Sequence, residues 1–177
     1  SGYQAFGPAV YLGYGNGLWR NLNYDTDRRL TGISVNGNGT SLTQSLTYAF
    51  DAADRITDIT NAVDAANTWD FTYDNMSRVI GAQAAGNPVG NFGYDLIGNR
   101  VSRGTGGVQN TTLNYPSTSS RLQSYVTSTL TRSYGYNANG DTTSMTGTDG
   151  VANTFAYDPF GRLASHTRSG VTTTYTV

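Results

Sequence analysis

Five tyrosines, Tyr73, Tyr94, Tyr115, Tyr136 and Tyr157, follow one another at intervals of 21 residues. A period of that length restricts the fold, because every copy must find an equivalent place and bury its apolar side against other copies of itself. The series continues upstream, with Phe50 lying 23 residues before Tyr73 and Tyr24 lying 26 before Phe50. Two residues before each anchor stands a large apolar side chain: Leu22, Tyr48, Phe71, Phe92, Leu113, Tyr134 or Phe155. A separation of two places both members of each pair on one face of a strand.

The residues just after each anchor read as a tight turn. The first of them is Asp25, Asp51, Asp74, Asp95 or Asp158, with Pro116 and Asn137 as substitutes. Four positions after the anchor come Gly98, Gly140 and Gly161, replaced elsewhere by Arg28, Asp54, Ser77 and Ser119. The best-formed copy is Tyr157-Asp158-Pro159-Phe160-Gly161-Arg162. Its Asp binds backbone N–H groups, its Pro presets φ, and its Gly accepts a positive φ, so a type I turn is expected. Turns without the Gly are expected to be less ideal.

Each unit then continues as strand, second turn, strand, a β-hairpin in all. The second turns are expected at Asn36-Gly37-Asn38-Gly39, Gly86-Asn87-Pro88, Gly104-Thr105-Gly106-Gly107, Asp149-Gly150 and Ser169-Gly170. One segment competes with this register. Ile56, Ile59 and Val63 recur at helical spacing within residues 52–66. The repeat favours a strand over Ile56–Thr60 and a long turn around Asp64-Ala65-Ala66.

The expected organisation is a single array over residues 1–177. Residues 1–22 form a divergent first unit, with Asn16-Gly17 as a hairpin turn, and residues 23–177 form successive hairpins. Tyr175-Thr176-Val177 falls where the next aromatic pair is due, so the last hairpin is expected to be truncated and the chain to be a piece of a longer array. A length of 177 residues is enough for one domain with a real core.

Composition agrees with strands. All eleven cations are Arg and all twelve anions are Asp, so the best charged helix formers are missing, while Tyr occurs 13 times and Gly 22 times. A net charge of −1 with the two signs interspersed gives no basic face, which argues against a nucleic-acid partner. Without cysteine there is no disulfide framework and no thiolate chemistry, as suits an exported bacterial protein. No apolar run reaches membrane-spanning length, so no membrane insertion is expected. Ser1-Gly2-Tyr3 lacks a charged start and an apolar run, so an export signal is expected to lie elsewhere.

Tyr94-Asp95-Leu96-Ile97-Gly98-Asn99-Arg100-Val101 and Tyr157-Asp158-Pro159-Phe160-Gly161-Arg162-Leu163 resemble the YD repeat of the Rhs family, which includes bacterial Rhs proteins, the C component of Tc toxins and teneurins. Phe6-Gly7-Pro8 with Tyr14-Gly15-Asn16-Gly17-Leu18 is similar to a segment of bacterial Rhs cores. The resemblance implies an all-β fold of repeated hairpins in a continuous, curved antiparallel sheet, a length of shell that encloses a toxin domain. It implies secretion or a cell-surface location, and tyrosines stacked in register along the sheet. The aspartyl autoprotease motif of such shells has no counterpart here beyond Asp158-Pro159, which the repeat explains as a turn.

The structural anchors are therefore Tyr24, Asp25, Phe50, Asp51, Tyr73, Asp74, Tyr94, Asp95, Gly98, Tyr115, Tyr136, Gly140, Tyr157, Asp158, Gly161 and Arg162. Turn arginines such as Arg55, Arg78 and Arg162 are expected to bridge to the Asp of an adjacent turn. No catalytic, metal or cofactor site is expected. His166 is the sole histidine, and Asn137-Ala138-Asn139-Gly140-Asp141 resembles a calcium loop without its closing Glu. The recurring Asp residues fit turns better than a glycosidase pair. Asn38-Gly39-Thr40, Asn75-Met76-Ser77 and Asn110-Thr111-Thr112 match the short glycosylation pattern. Two other functions stay open. Rows of aromatic and Asp residues, with Trp19 and Trp69, could bind glycans or a cell surface, or open sheet edges could assemble filaments. The partners expected first are neighbouring repeats and an enclosed toxin domain.

Overall fold

The computed structural model describes residues 2–5, 7–37 and 42–176. Phe6, the second-turn residues Asn38 and Gly39, the first glycosylation triplet and Val177 lie outside them.

The fold is all-β. Seventeen strands follow in order: β1 Gly2–Tyr3, β2 Ala9–Gly13, β3 Trp19–Tyr24, β4 Leu30–Asn36, β5 Leu42–Phe50, β6 Ile56–Asn61, β7 Trp69–Tyr73, β8 Val79–Ala84, β9 Asn87–Tyr94, β10 Arg100–Thr105, β11 Val108–Asn114, β12 Ser124–Thr127, β13 Thr131–Tyr136, β14 Thr142–Gly147, β15 Ala152–Tyr157, β16 Leu163–Arg168 and β17 Val171–Thr174. The competing helix does not form. Ile56–Asn61 is a strand, and the long turn after it holds one 3-10 turn, Ala65–Asn67, capped by the Asp64 carboxylate.

The chain divides into two compact units, Ser1–Gly90 and Asn91–Val177. In the first, β1 to β8 form an antiparallel meander in which each strand pairs with the next. In the second, β9 to β17 do the same. Short turns between strands of alternating polarity produce this order.

The pleat sorts the side chains. In the second unit Tyr134, Met145 and Asn153 stand opposite one another along one face, as do Phe155 and His166. The other face carries Gly135, Ser144, Thr154, Thr167 and Thr172 in successive strands. Apolar side chains on the first face remain half exposed. Among the described residues only Val35 and Ala82 are buried apolar side chains, so the expected core is absent. Strands that pack edge to edge bury backbone and leave both faces accessible; a core needs a second layer.

Two second turns sit differently from expectation. Asn87 and Pro88 belong to β9, and the turn is Ala85-Gly86, both at positive φ. Gly104 and Thr105 belong to β10, and Gly106-Gly107 make the turn. Ser169-Gly170 also has positive φ at both positions. Two-residue loops with positive φ at both positions match the right-handed strand twist, whereas two-residue loops of type I or II would splay the strands.

Candidate functional site

Six of the seven anchors end a strand, β11 stopping at Asn114 just before Tyr115, and after those six the next five residues make one repeated device. In Asp158–Arg162 the Gly161 N–H donates to the Asp158 carbonyl at 3.0 Å, and the Asp158 N–H to the Arg162 carbonyl at 2.9 Å. The same pair of bonds closes 25–29, 51–55, 74–78, 95–99 and 137–141, and also 14–18 in the divergent first unit. Gly98, Gly140 and Gly161 occupy the left-handed position at φ of 96°, 97° and 78°. Arg28, Asp54 and Ser77 are forced into it at 65°, 61° and 60°. These are the less ideal turns, since an L side chain there costs about 1–2 kcal/mol.

The Asp is the hub. Asp51 Oδ1 accepts the Ala53 and Arg55 N–H groups at 2.9 and 3.0 Å, and Oδ2 accepts Arg55 Nε at 2.7 Å. Asp25 with Arg29, Asp74 with Arg78 and Asp158 with Arg162 repeat the arrangement, each ion pair at 2.7 Å. Asn99 replaces Arg in the next turn and donates to Asp95 at 2.8 Å. In 137–141 the roles reverse, with Asn137 donating to Asp141 Oδ2 at 2.9 Å. Backbone N–H donation from Arg55, with its guanidinium beside it, holds the Asp51 carboxyl below the usual range despite partial desolvation. Arg78 and Arg162 do the same for Asp74 and Asp158. For Asp25 and Asp95 burial acts upward, but hydrogen bonds from Arg29 and Asn99 outweigh it.

A strand register shift accompanies the turns. It falls at the anchor in the hairpins of Tyr24, Phe50, Tyr73, Tyr136 and Tyr157, and beside Tyr94 in its own. This bulge puts Ile56 opposite Phe50 and Thr142 opposite Tyr136. The next anchor then bonds a carbonyl that lies just after the preceding turn, bulged or not. Tyr73 Oη donates to Ile56 O at 2.5 Å, Tyr115 to Arg100 O at 3.2 Å, Tyr136 to Leu122 O at 2.8 Å and Tyr157 to Thr142 O at 2.9 Å.

The arginines add a second link to the next hairpin. Arg29 lies 5.0 Å from the centroid of Phe50, Arg55 4.7 Å from Tyr73 and Arg121 5.9 Å from Tyr136. Arg29 also pairs with Asp54 of the next turn, and Arg55 Nη1 donates to Asp74 O at 3.0 Å.

Two expectations are thereby corrected. The ring pairs among the described residues are Tyr11–Trp19, Trp69–Phe71 and Phe155–His166, and none of these joins two anchors. An intervening strand separates consecutive anchors, so a hydroxyl and a guanidinium span the gap that rings do not. Secondly, Arg29, Arg55, Arg78 and Arg162 pair first with the Asp of their own turn, because Nε lies within reach four residues on. The sequence carried a signal for this. Positions one and five after the anchor hold a complementary couple in six turns: Asp25/Arg29, Asp51/Arg55, Asp74/Arg78, Asp95/Asn99, Asn137/Asp141 and Asp158/Arg162.

Other singled-out residues are scattered. His166 stacks on Phe155 at 4.9 Å and its Nε2 lies 2.9 Å from Asn153 Oδ1, with no Ser or Asp partner among the described residues. Asn75 sits in an exposed turn, and Asn110 on β11 donates to Thr105 Oγ1 at 2.6 Å. Asp58 and Asp70 face each other across β6 and β7, a pair that sequence periodicity does not reveal. Burial, then the hydrogen bond and charge of Asp58, push the Asp70 carboxyl up. No cluster of three metal-ligating side chains occurs among the described residues.

A family model described as teneurin YD-shell matches residues 16–176. The crystal structure of TcdB2-TccC3-Cdc42 superposes with a TM-score of 0.59 at 17% identity, over 94% of this chain and 11% of that one. TcdB2-TccC3 without its hypervariable C-terminal region gives 0.58 at 19% identity, over 98% of this chain and 9% of that one. At these identities the likeness concerns the fold alone, and this chain spans about a tenth of the length of those structures. No curated protein matches it.

Proposed function

The chain belongs to the teneurin YD-shell family, and from that premise we propose that it serves as a length of shell wall in a larger protein, enclosing or presenting another polypeptide domain outside the cell or at its surface. The observation that carries this is the repeated link from one hairpin to the next, anchor hydroxyl to carbonyl and guanidinium to ring, which serves cohesion. The half-exposed apolar face is what a wall offers to contents or to further wall. The wall role is structural rather than enzymatic.

The test is protease protection in the full-length protein. Wild type should shield an internal domain, and Tyr136→Ala with Tyr157→Ala should open the wall and expose it to cleavage. A wild-type protein in which every domain is equally cleavable would overturn the proposal.

A further inference from the structure

We propose that the groove beside Arg121 binds a carboxylate. Six turns satisfy their fifth residue from within, through the couples that begin at Asp25 and end at Asp158. The turn after Tyr115 does so only for the backbone: the Arg121 N–H donates to Ser119 Oγ at 3.1 Å, while its guanidinium has no acid within the turn. Pro116 stands where the Asp belongs, and Pro carries no side-chain acceptor. This turn is one residue longer, so its closing position falls on Arg121. The neighbouring anchor establishes that register: Tyr136 bonds the carbonyl of Leu122, the residue after Arg121, as Tyr73 bonds that of Ile56 after Arg55.

Arg121 keeps both links to the next hairpin. It lies over Tyr136, and Nη1 points at Asn137 O at 3.4 Å, the counterpart of Arg55 on Asp74 O. Gly140 makes room for it, since a Cβ there would come within 2.6 Å of Nη2. What it lacks is the carboxylate on Nε. Among the described residues no acid pairs with Arg121, whereas Arg29, Arg55, Arg78 and Arg162 each hold one at 2.7 Å.

The missing group's place is open. A groove of about 280 Å³ is lined by Pro116, Ser119, Arg121, Gln123, Tyr134 and Tyr136 among others. The guanidinium offers a planar fork that a carboxylate matches with two parallel hydrogen bonds. The Tyr rings supply an apolar wall, and the Gln123 amide a further polar contact. This volume lies at the small end of ligand sites. It suits a single carboxylate on a short body: an Asp or Glu side chain of a peptide, or a small free acid.

The test is titration of the intact chain, followed by the arginine Nε–Hε resonances, with N-acetyl-aspartate amide, benzoate and inorganic phosphate as probes. The Arg121 signal should move saturably with a Kd on the order of millimolar, while those of Arg55 and Arg162 stay still. Tighter binding of the aspartate derivative assigns a peptide source, and tighter binding of benzoate a small acid. Arg121→Gln should weaken binding by about tenfold or more, and loss of its links to Tyr136 and Asn137 should lower the unfolding midpoint only modestly. Pro116→Asp should move the Arg121 signal without ligand and abolish the titration. A phosphate response as strong as that to carboxylate, equal movement of all arginines, or no saturable shift of Arg121 would each overturn the proposal.

Discussion

The Arg55 guanidinium lies 4.7 Å from the centre of the Tyr73 ring, one hairpin further along, while its Nε holds Asp51 in its own turn at 2.7 Å. One side chain thus closes a turn and fastens it to the next copy. A double-mutant cycle with Arg55→Gln and Tyr73→Leu should give a coupling of about 0.5–1 kcal/mol in urea unfolding. Additive effects would mean that the ring contact contributes nothing to cohesion.

The anchor hydroxyls make a separate contribution. Tyr157→Phe removes the 2.9 Å bond to Thr142 O and should cost about 0.5–1.5 kcal/mol. Tyr134→Phe is the control, since no such bond from its hydroxyl occurs among the described residues, and it should be close to neutral. Equal costs for the two would mean that the bond to Thr142 adds nothing beyond the loss of any hydroxyl.

Backbone conformation yields a pair of opposite signs. Ser77 is held at φ of 60°, so Ser77→Gly should stabilise by about 1 kcal/mol. Gly161 sits at 78° in the equivalent position, and Gly161→Ala should destabilise by about 1–2 kcal/mol. Thermal unfolding of both variants decides the point.

Acid should loosen the turns. The carboxyls of Asp25, Asp51, Asp74, Asp95 and Asp158 all lie below their ordinary value in the folded chain. Their stabilisation is therefore complete above the unfolded value of about 3.9 and fades as pH falls through the lower folded values. The midpoint of urea unfolding should hold steady from neutral pH down to about 4.5 and then drop. In Asp158→Asn the drop should be smaller.

The facing acids Asp58 and Asp70 behave in the opposite sense. With the Asp70 carboxyl raised, the folded chain binds its proton more readily than the unfolded chain, so a penalty stands above the folded value and disappears on acidification. Asp70→Asn should raise the melting temperature at pH 7 by a few degrees. At pH 3 the gain should vanish; a gain independent of pH would point to packing instead.

Much of the fold is legible in the residues. The spacing of Tyr73, Tyr94, Tyr115, Tyr136 and Tyr157 marks strand ends and turns, and the segment 56–61 is a strand despite its helical spacing. The bulge at six of the anchors is not legible, because a register shift is a property of two strands and neither strand states it alone. The pairing of Asp25 with Arg29 and its equivalents is present in the sequence as complementary residue types. It does not announce itself, since an Arg within reach of two turns has two acids to choose from, and only the path of the backbone selects between them.

By itself, the sequence determined the period, the alternation and the turn chemistry, because these depend on contacts within some twenty neighbouring residues. Tertiary structure alone decided which atoms join one copy to the next. The bulge turns the Ile56 and Thr142 carbonyls toward the next anchor, so cohesion rests on hydroxyl and guanidinium contacts in place of stacked rings. That only two apolar side chains are buried among the described residues was likewise decided there. Half-exposed faces result from strands laid edge to edge, and no local pattern of apolar residues distinguishes a face that will be covered from one that stays open.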